Sequence, residues 1–312
     1  MIAKETDLAS HPLRVVVVGS NGRLGCEVVA ALRDQCEVTG LGREDLDLSS
    51  ADSIRTALEH LEYDRVVIPA ALTAVDYCET HEDEAYAVNA EGPRLIAEIS
   101  REKGAHVTYV STDFVFDGTK QGPYSEDDQV NPISVYGASK LRGEELVLRE
   151  DRANLVVRVS WVFGPGRPAF PEWIIGQARE KSELFLPADK LACPSSSRDL
   201  ARMLKPLVIG KKGEGASGIF HLCNSGTCSW RDWGQFCLDE AADAGVPLKT
   251  RRIGRNLVSD VEAFVAKRPL NSALDTSKYA RWTGITPPSW QDALSTHLHK
   301  SPLLNEAREL AC

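Results

Sequence analysis

The chain has no C-x-x-C pair, no basic run and no long uninterrupted apolar stretch. Each absence excludes something. Its eight cysteines (Cys26, Cys36, Cys78, Cys193, Cys223, Cys228, Cys237 and Cys312) lie mostly in apolar segments, which reads as free core thiols rather than a disulfide framework. Cys223 and Cys228 stand five apart, but no second Cys or His pair at ligand spacing accompanies them, so a structural zinc is not expected. Apolar runs such as "LRVVVVG" stop far short of the ~18 residues that suggest a membrane-spanning helix. The net charge of −9 comes from 36 Lys and Arg against 45 Asp and Glu, dispersed without a basic cluster, which argues against a nucleic-acid surface. The first twelve residues, "MIAKETDLASHP", carry acids and lack an apolar centre, so they match neither a signal nor a transit peptide. A short flexible arm on a cytoplasmic protein is the expectation.

What the chain does have is composition for a substantial core: 312 residues, 43% hydrophobic and 26% charged, enough for one large domain or two unequal ones. Apolar β-branched runs at 14–19, 37–41, 65–71, 106–112 and 154–160 read as buried parallel strands. Segments of helical period fill the gaps at 23–35, 50–61, 93–104 and 134–150. Strand and helix taking turns predict a doubly wound α/β sheet of the Rossmann type over residues 13–160. After "FGPGRPAFP" the rhythm breaks, which predicts a smaller lobe over residues 161–300 with some segments returning to the sheet.

Three stretches carry chemistry. In "VVVVGSNGRLGCEVVAAL", Gly19, Gly22 and Gly25, with Asn21 among them, lie between the first strand and the first helix. Glycines there let a pyrophosphate approach the backbone while the helix N-terminus faces its charge, so a dinucleotide is expected. The second strand ends in "GLGREDLDLSS" without the acidic residue that would bind a ribose 2′-hydroxyl. Arg43 stands nearby and could take a 2′-phosphate, with Arg23 as a second contact, although either could equally be solvated. Asp47 and Leu48 fall where a loop passes the adenine edge, or Asp47 caps the next helix.

The second stretch, "NPISVYGASKLRGEE", puts Tyr136 and Lys140 one helical turn apart on one face. A neighbouring ammonium stabilises a phenolate, which would let the tyrosine exchange a proton with a carbonyl near neutral pH. The third, "YVSTDFVFDG", brings Ser111 and Thr112 to the C-terminal end of the fourth strand, where an open sheet places its ligand crevice. A hydroxyl there can hydrogen-bond a substrate carbonyl.

Together these residues resemble the extended short-chain dehydrogenase/reductases. "STDFVFDG", "PYSEDDQVNPISVYGASKLRGEE" and "RVSWVFGPG", with "GIFHLCNSGTCSWRDW" and "KRPLNSALDTSK" later, look like the dTDP-4-dehydrorhamnose reductase branch, over residues 13 to 298. The resemblance implies reduction of a nucleotide-linked 4-keto-6-deoxysugar by NADPH, with NADH tolerated. Tyr136 would be proton donor, Lys140 its activator and Thr112 the hydroxyl on the carbonyl. It also implies Asp113 and Trp161 beside the substrate, Gly22, Arg23 and Leu24 at the cofactor phosphates, and Ala70 and Ala71 at its ribose and nicotinamide. A nucleotide sugar is then the partner and a homodimer is allowed, while a need for magnesium is left open. Two other readings stand beside it: a reductase of another nucleotide sugar, and an NADP-binding regulatory subunit like the β subunit of methionine adenosyltransferase. The chain departs from the branch at Ile68 and Pro69, at Phe114 in place of tyrosine, and at Cys193, Pro194 and Ser195 in place of G-x-P-T.

Overall fold

The structure, a computed structural model, describes residues 12–210, 215–302 and 304. All but Pro12 of the expected N-terminal arm lies outside them, as does Cys312. Six parallel strands form the central sheet: β1 (Leu13–Val18), β2 (Cys36–Leu41), β3 (Arg65–Ile68), β4 (His106–Thr112), β5 (Leu155–Val159) and a last strand, Gly218–His221. Their spatial order is β2-β1-β3-β4-β5 and then Gly218–His221. This is the doubly wound sheet that the alternating pattern predicts.

The valine run of β1 shows why the strands read as unbroken apolar stretches. Successive side chains point to opposite faces of a strand. Val15 and Val17 pack under helices α1 (Arg23–Leu32) and α8 (Ser197–Ile209). Val16 and Val18 pack on the other face, against Ile54 and Leu58 of α2 (Ala51–Glu59) and Leu95 and Ile96 of α5 (Gly92–Glu102). With both faces covered, each valine contributes about 1.5–3 kcal/mol of burial.

After β1 the chain runs outward to β2, then crosses to β3 on the other side of β1. This reversal is a topological switch point, where open sheets form their ligand crevice. β3 ends at Ile68 rather than residue 71, because Pro69 has no N–H to continue the ladder. Ala70 N–H then bonds back to Val18 O at 3.2 Å, tying the β1 and β3 ends together.

Beyond β5, helices α7 (Phe170–Glu180), α9 (Trp230–Asp243) and α11 (Trp290–Leu298) build a second core around Ile174, Trp233 and Leu294. The Gly218–His221 strand, which pairs with β5, lies between α8 and α9 in the chain, so the second lobe interrupts the sheet's own sequence.

Helix α6 (Val135–Glu150) carries Tyr136 and Lys140. It starts where the helical period does, at Ser134, whose hydroxyl caps the helix by accepting from Gly137 N at 3.2 Å. Gly137 is required there, since a Cβ would collide with the carbonyl oxygen of Phe114. A buried ion pair then anchors the helix to β5: Arg158 Nη2 donates to Glu144 Oε2 at 2.7 Å and its Nε to Oε1 at 2.9 Å. Ser111 Oγ at the end of β4 donates to the same carboxylate at 2.5 Å.

Candidate active site

The turn after β1 is held open for a ligand. Gly19 has φ +87°, and its N–H bonds to Leu41 O at 2.7 Å, while Gly22 N–H bonds to Gly19 O at 2.9 Å. A Cβ on Gly25 would strike the Gly19 carbonyl, so the turn can be this tight only with glycine. Gly22 is the N-cap of α1 and no side chain caps it. The first N–H groups of α1 are therefore presented at a helix N-terminus, an anion site by geometry and dipole.

From this turn a cleft of about 620 Å³ extends to the ends of β4 and α6. Gly19, Asn21, Gly22, Leu24 and Gly25 form one end. Ala70 and Ala71 form the middle, and Thr112, Asp113, Tyr136, Lys140 and Trp161 the other end. A smaller pocket of about 130 Å³ joins it at Gly19, Arg43, Ala70 and Ala71, and includes Asp47 and Leu48. The candidate residues read from the sequence thus line this cleft and the smaller pocket that joins it. An unhindered helix N-terminus at one end and an exposed cation beside the smaller pocket fit the pyrophosphate and adenosine portions of NADP.

Particular roles come out differently from the sequence reading. Arg23 lines the cleft, yet its guanidinium donates to Gly164 O at 2.5 Å and Arg167 O at 2.7 Å. Its donors tie the loop at Gly164–Arg167 to the glycine turn, whereas Arg43, which lines the same cleft, is exposed and makes no hydrogen bond among the described residues. Asp47 does not cap α2; Ser50 does, and Asp47 accepts from Ser49 N and Oγ at 2.9 and 2.7 Å.

Tyr136 is buried, its ring edge-on to Phe114 at 5.5 Å between centroids. Lys140 is deeper still: its Nζ donates to Val110 O at 2.6 Å and lies 3.9 Å from the Tyr109 ring centre. The sequence reading has Lys140 lowering the phenol, but burial dominates both groups. Burial pushes the Tyr136 phenol up, with a hydrogen bond involving Thr112 opposing it. Burial also lowers Lys140 to about 7, against the raising influence of Glu144. The phenol therefore stays protonated through neutrality, as a proton donor must.

Thr112 is fixed by its neighbours. Its Oγ1 donates to Asp113 Oδ1 at 3.1 Å and accepts from Phe114 N at 3.2 Å. Asp113, also buried, takes two more hydroxyls on Oδ2, from Ser160 at 2.9 Å and Ser272 at 2.6 Å. Trp161 is the single non-glycine residue with positive φ, +40°, among the described residues. Such a conformation costs about 1–3 kcal/mol and clusters at functional sites; here ring packing offsets it, with Trp233 stacked at 5.3 Å and Trp230 at 5.6 Å. Ser160, Ser272 and Lys190, which complete the Asp113 environment, were not legible as site residues. They come from three separate segments: Ser160 lies within "RVSWVFGPG" and Ser272 within "KRPLNSALDTSK", but no local pattern singles either out, and Lys190 lies in no quoted stretch.

A doubly wound sheet whose crevice joins a glycine-rich turn to a Tyr-x-x-x-Lys helix defines an NAD(P)H-dependent oxidoreductase of the extended short-chain dehydrogenase/reductase class. Comparison with known proteins narrows it. Residues 13–302 match the family model described as RmlD substrate binding domain. A dTDP-4-dehydrorhamnose reductase of Sinorhizobium fredii is 34% identical over 285 residues, covering 90% of this chain and 95% of the relative. The crystal structure of a dTDP-4-dehydrorhamnose reductase from Clostridium acetobutylicum superposes with a TM-score of 0.84 at 30% identity, covering 92% of this chain and 99% of that one. That of the Bacillus anthracis dTDP-4-dehydrorhamnose reductase, in complex with NADP, gives 0.85 at 28% identity over 93% and 100%. The chain belongs to the dTDP-4-dehydrorhamnose reductase family. None of its described helices is long and apolar enough to cross a membrane, and no group of three or more His, Cys, Asp or Glu among the described residues is arranged to hold a metal ion.

Proposed function

We propose that the protein reduces the C4 keto group of dTDP-4-dehydro-L-rhamnose to give dTDP-L-rhamnose, with NADPH preferred and Tyr136 as proton donor. The observation that carries this reading is the convergence of Thr112, Tyr136 and Lys140 at the far end of the cleft that begins at the glycine turn. The relatives' names supply the substrate, and the cleft supplies the chemistry. A bound reduced nicotinamide would contribute the hydride to C4. The chain's own residues handle the rest: as negative charge grows on the carbonyl oxygen, the Thr112 hydroxyl turns its one proton from Asp113 toward it and Tyr136 gives up its phenolic proton to it. Burial keeps that proton in place until a stronger base, the nascent alkoxide, takes it. The Lys140 ammonium, one turn along α6, then offsets the phenolate charge. The glycine turn and the α1 N-terminus would hold the pyrophosphate, and Arg43 the 2′-phosphate.

The test is direct. Purified protein is mixed with NADPH and dTDP-4-dehydro-L-rhamnose, and the reduced-nicotinamide absorbance is followed. Its loss with formation of dTDP-L-rhamnose supports the reading. Tight NADPH binding without turnover would favour the regulatory-subunit alternative, and turnover confined to a sugar on another nucleotide would move the specificity elsewhere.

A further inference from the structure

Asp113 stands in the cleft wall, but its charge is answered from a distant part of the chain. Lys190 has no exposed surface, and its ammonium donates to Ser272 Oγ at 3.2 Å. Ser272 Oγ donates onward to Asp113 Oδ2 at 2.6 Å. The same ammonium lies 5.1 Å from the ring centre of Phe114 and 5.6 Å from that of Trp161, two residues that line the cleft. Lys190 itself does not line it, and the hydride and proton transfers use neither Lys190 nor Ser272. An ammonium buried this completely needs an opposite charge to be tolerated.

An ionised carboxylate offers about four lone-pair sites. Thr112, Ser160 and Ser272 occupy three of those on Asp113, which leaves one for a hydroxyl of a ligand in the cleft. Protonation of Asp113 would turn an oxygen into a donor and disturb both that acceptor site and the hold on Thr112. We infer that Lys190 is a positioning residue for the reduction: it keeps Asp113 a carboxylate, and Asp113 in turn orients the Thr112 hydroxyl and accepts one hydroxyl of the bound sugar. This inference rests on the reductase reading above.

The surrounding charges are consistent with that division. Burial raises the Asp113 carboxyl, and the strongest influence pulling it back is Lys190. Lys190, lowered by burial to about 8, is influenced by Asp113, Asp189 and Arg268. The other titratable groups that sense Asp113 are Tyr136, Cys193 and Cys223.

The experiment compares wild type, Lys190→Met and the double variant Asp113→Asn/Lys190→Met. Losing an adjacent opposite charge raises a carboxyl by about 1–3 pH units. In Lys190→Met, kcat/KM for the sugar nucleotide should therefore fall about tenfold for each pH unit below the new Asp113 value and recover as pH rises, an acid limb about 1–3 pH units above that of wild type. The Kd for NADPH should stay within about twofold of wild type. The melting temperature supplies a readout independent of turnover. A carboxyl raised in the folded state binds more protons than the unfolded chain, so Lys190→Met should lose stability relative to wild type as pH rises from about 4 to 7. The double variant should abolish that loss. If wild type fails to turn over dTDP-4-dehydro-L-rhamnose, the reductase reading falls, and the melting series alone decides whether Lys190 governs Asp113. A Lys190→Met pH profile parallel to wild type, with a melting offset constant in pH, would overturn the proposal. So would a double variant that is unfolded whenever Lys190→Met is.

Discussion

Replacing Tyr136 with phenylalanine deletes one oxygen and leaves the rest of the site standing. The ring keeps its edge-on contact with Phe114 and its place on a helix capped by Ser134. The lost hydroxyl had Thr112 as its neighbour, and Thr112 retains Asp113 and Phe114 N as partners, so no buried group is left without one. Stability should shift by less than about 1 kcal/mol, and the Kd for NADPH by less than about twofold. Turnover should not survive as well. A positioned general acid is worth about 10²–10⁴-fold, or about 2.7–5.4 kcal/mol at 1.36 kcal/mol per decade. The assay is kcat at saturating NADPH and sugar nucleotide, followed by nicotinamide absorbance across pH. Because burial raises the phenol, wild type should lose its Tyr136 proton only well above neutrality, and that alkaline limb should vanish in the variant. A Tyr136→Phe enzyme within about fivefold of wild-type kcat would refute the proton-donor role.

Lys140→Met should weaken both turnover and NADPH binding, and it should remove a pH dependence that wild type shows. With Lys140 lowered to about 7 by burial, wild-type NADPH affinity should decline as pH rises through about 7, which titration by fluorescence would show. Burial of this lysine costs stability below its folded value, and the cost is relieved as pH climbs toward the ordinary lysine value; the wild-type melting temperature should gain from that window and the variant should not. Arg43→Ala should cut the preference for NADPH over NADH by about tenfold or more, the worth of a charge-assisted hydrogen bond of about 1.5–3 kcal/mol; an unchanged ratio of specificity constants would remove Arg43 from the 2′-phosphate. Trp161→Ala should raise KM for the sugar nucleotide far more than for NADPH. Trp161→Gly, free of the φ +40° strain, should be more stable to unfolding by denaturant than the alanine variant by about 1 kcal/mol.

Much of the fold was legible because its rules are local. A strand covered on both faces must be apolar at every position, and Val15 to Val18 are. The glycine turn is recorded at Gly19, Gly22 and Gly25 because a tight strand-to-helix turn excludes side chains. The spacing of Tyr136 and Lys140 follows from the helical repeat, so the pair could be placed on one face before any tertiary contact was known. What required the folded chain was everything set by who approaches from afar. Arg23 belongs to the glycine turn in sequence, but the loop at Gly164 to Pro168 claims its guanidinium. The Gly218–His221 strand returns to the sheet only because β5 leaves an open edge for it. The protonation of Tyr136 and Lys140 depends on how much water the assembled cleft excludes, and desolvation has no signature in residue spacing. Asp113 gains Lys190 and Ser272 through segments far away in sequence, for the same reason: a charge is stabilised by whatever lies within a few ångströms, and only the topology decides what that is.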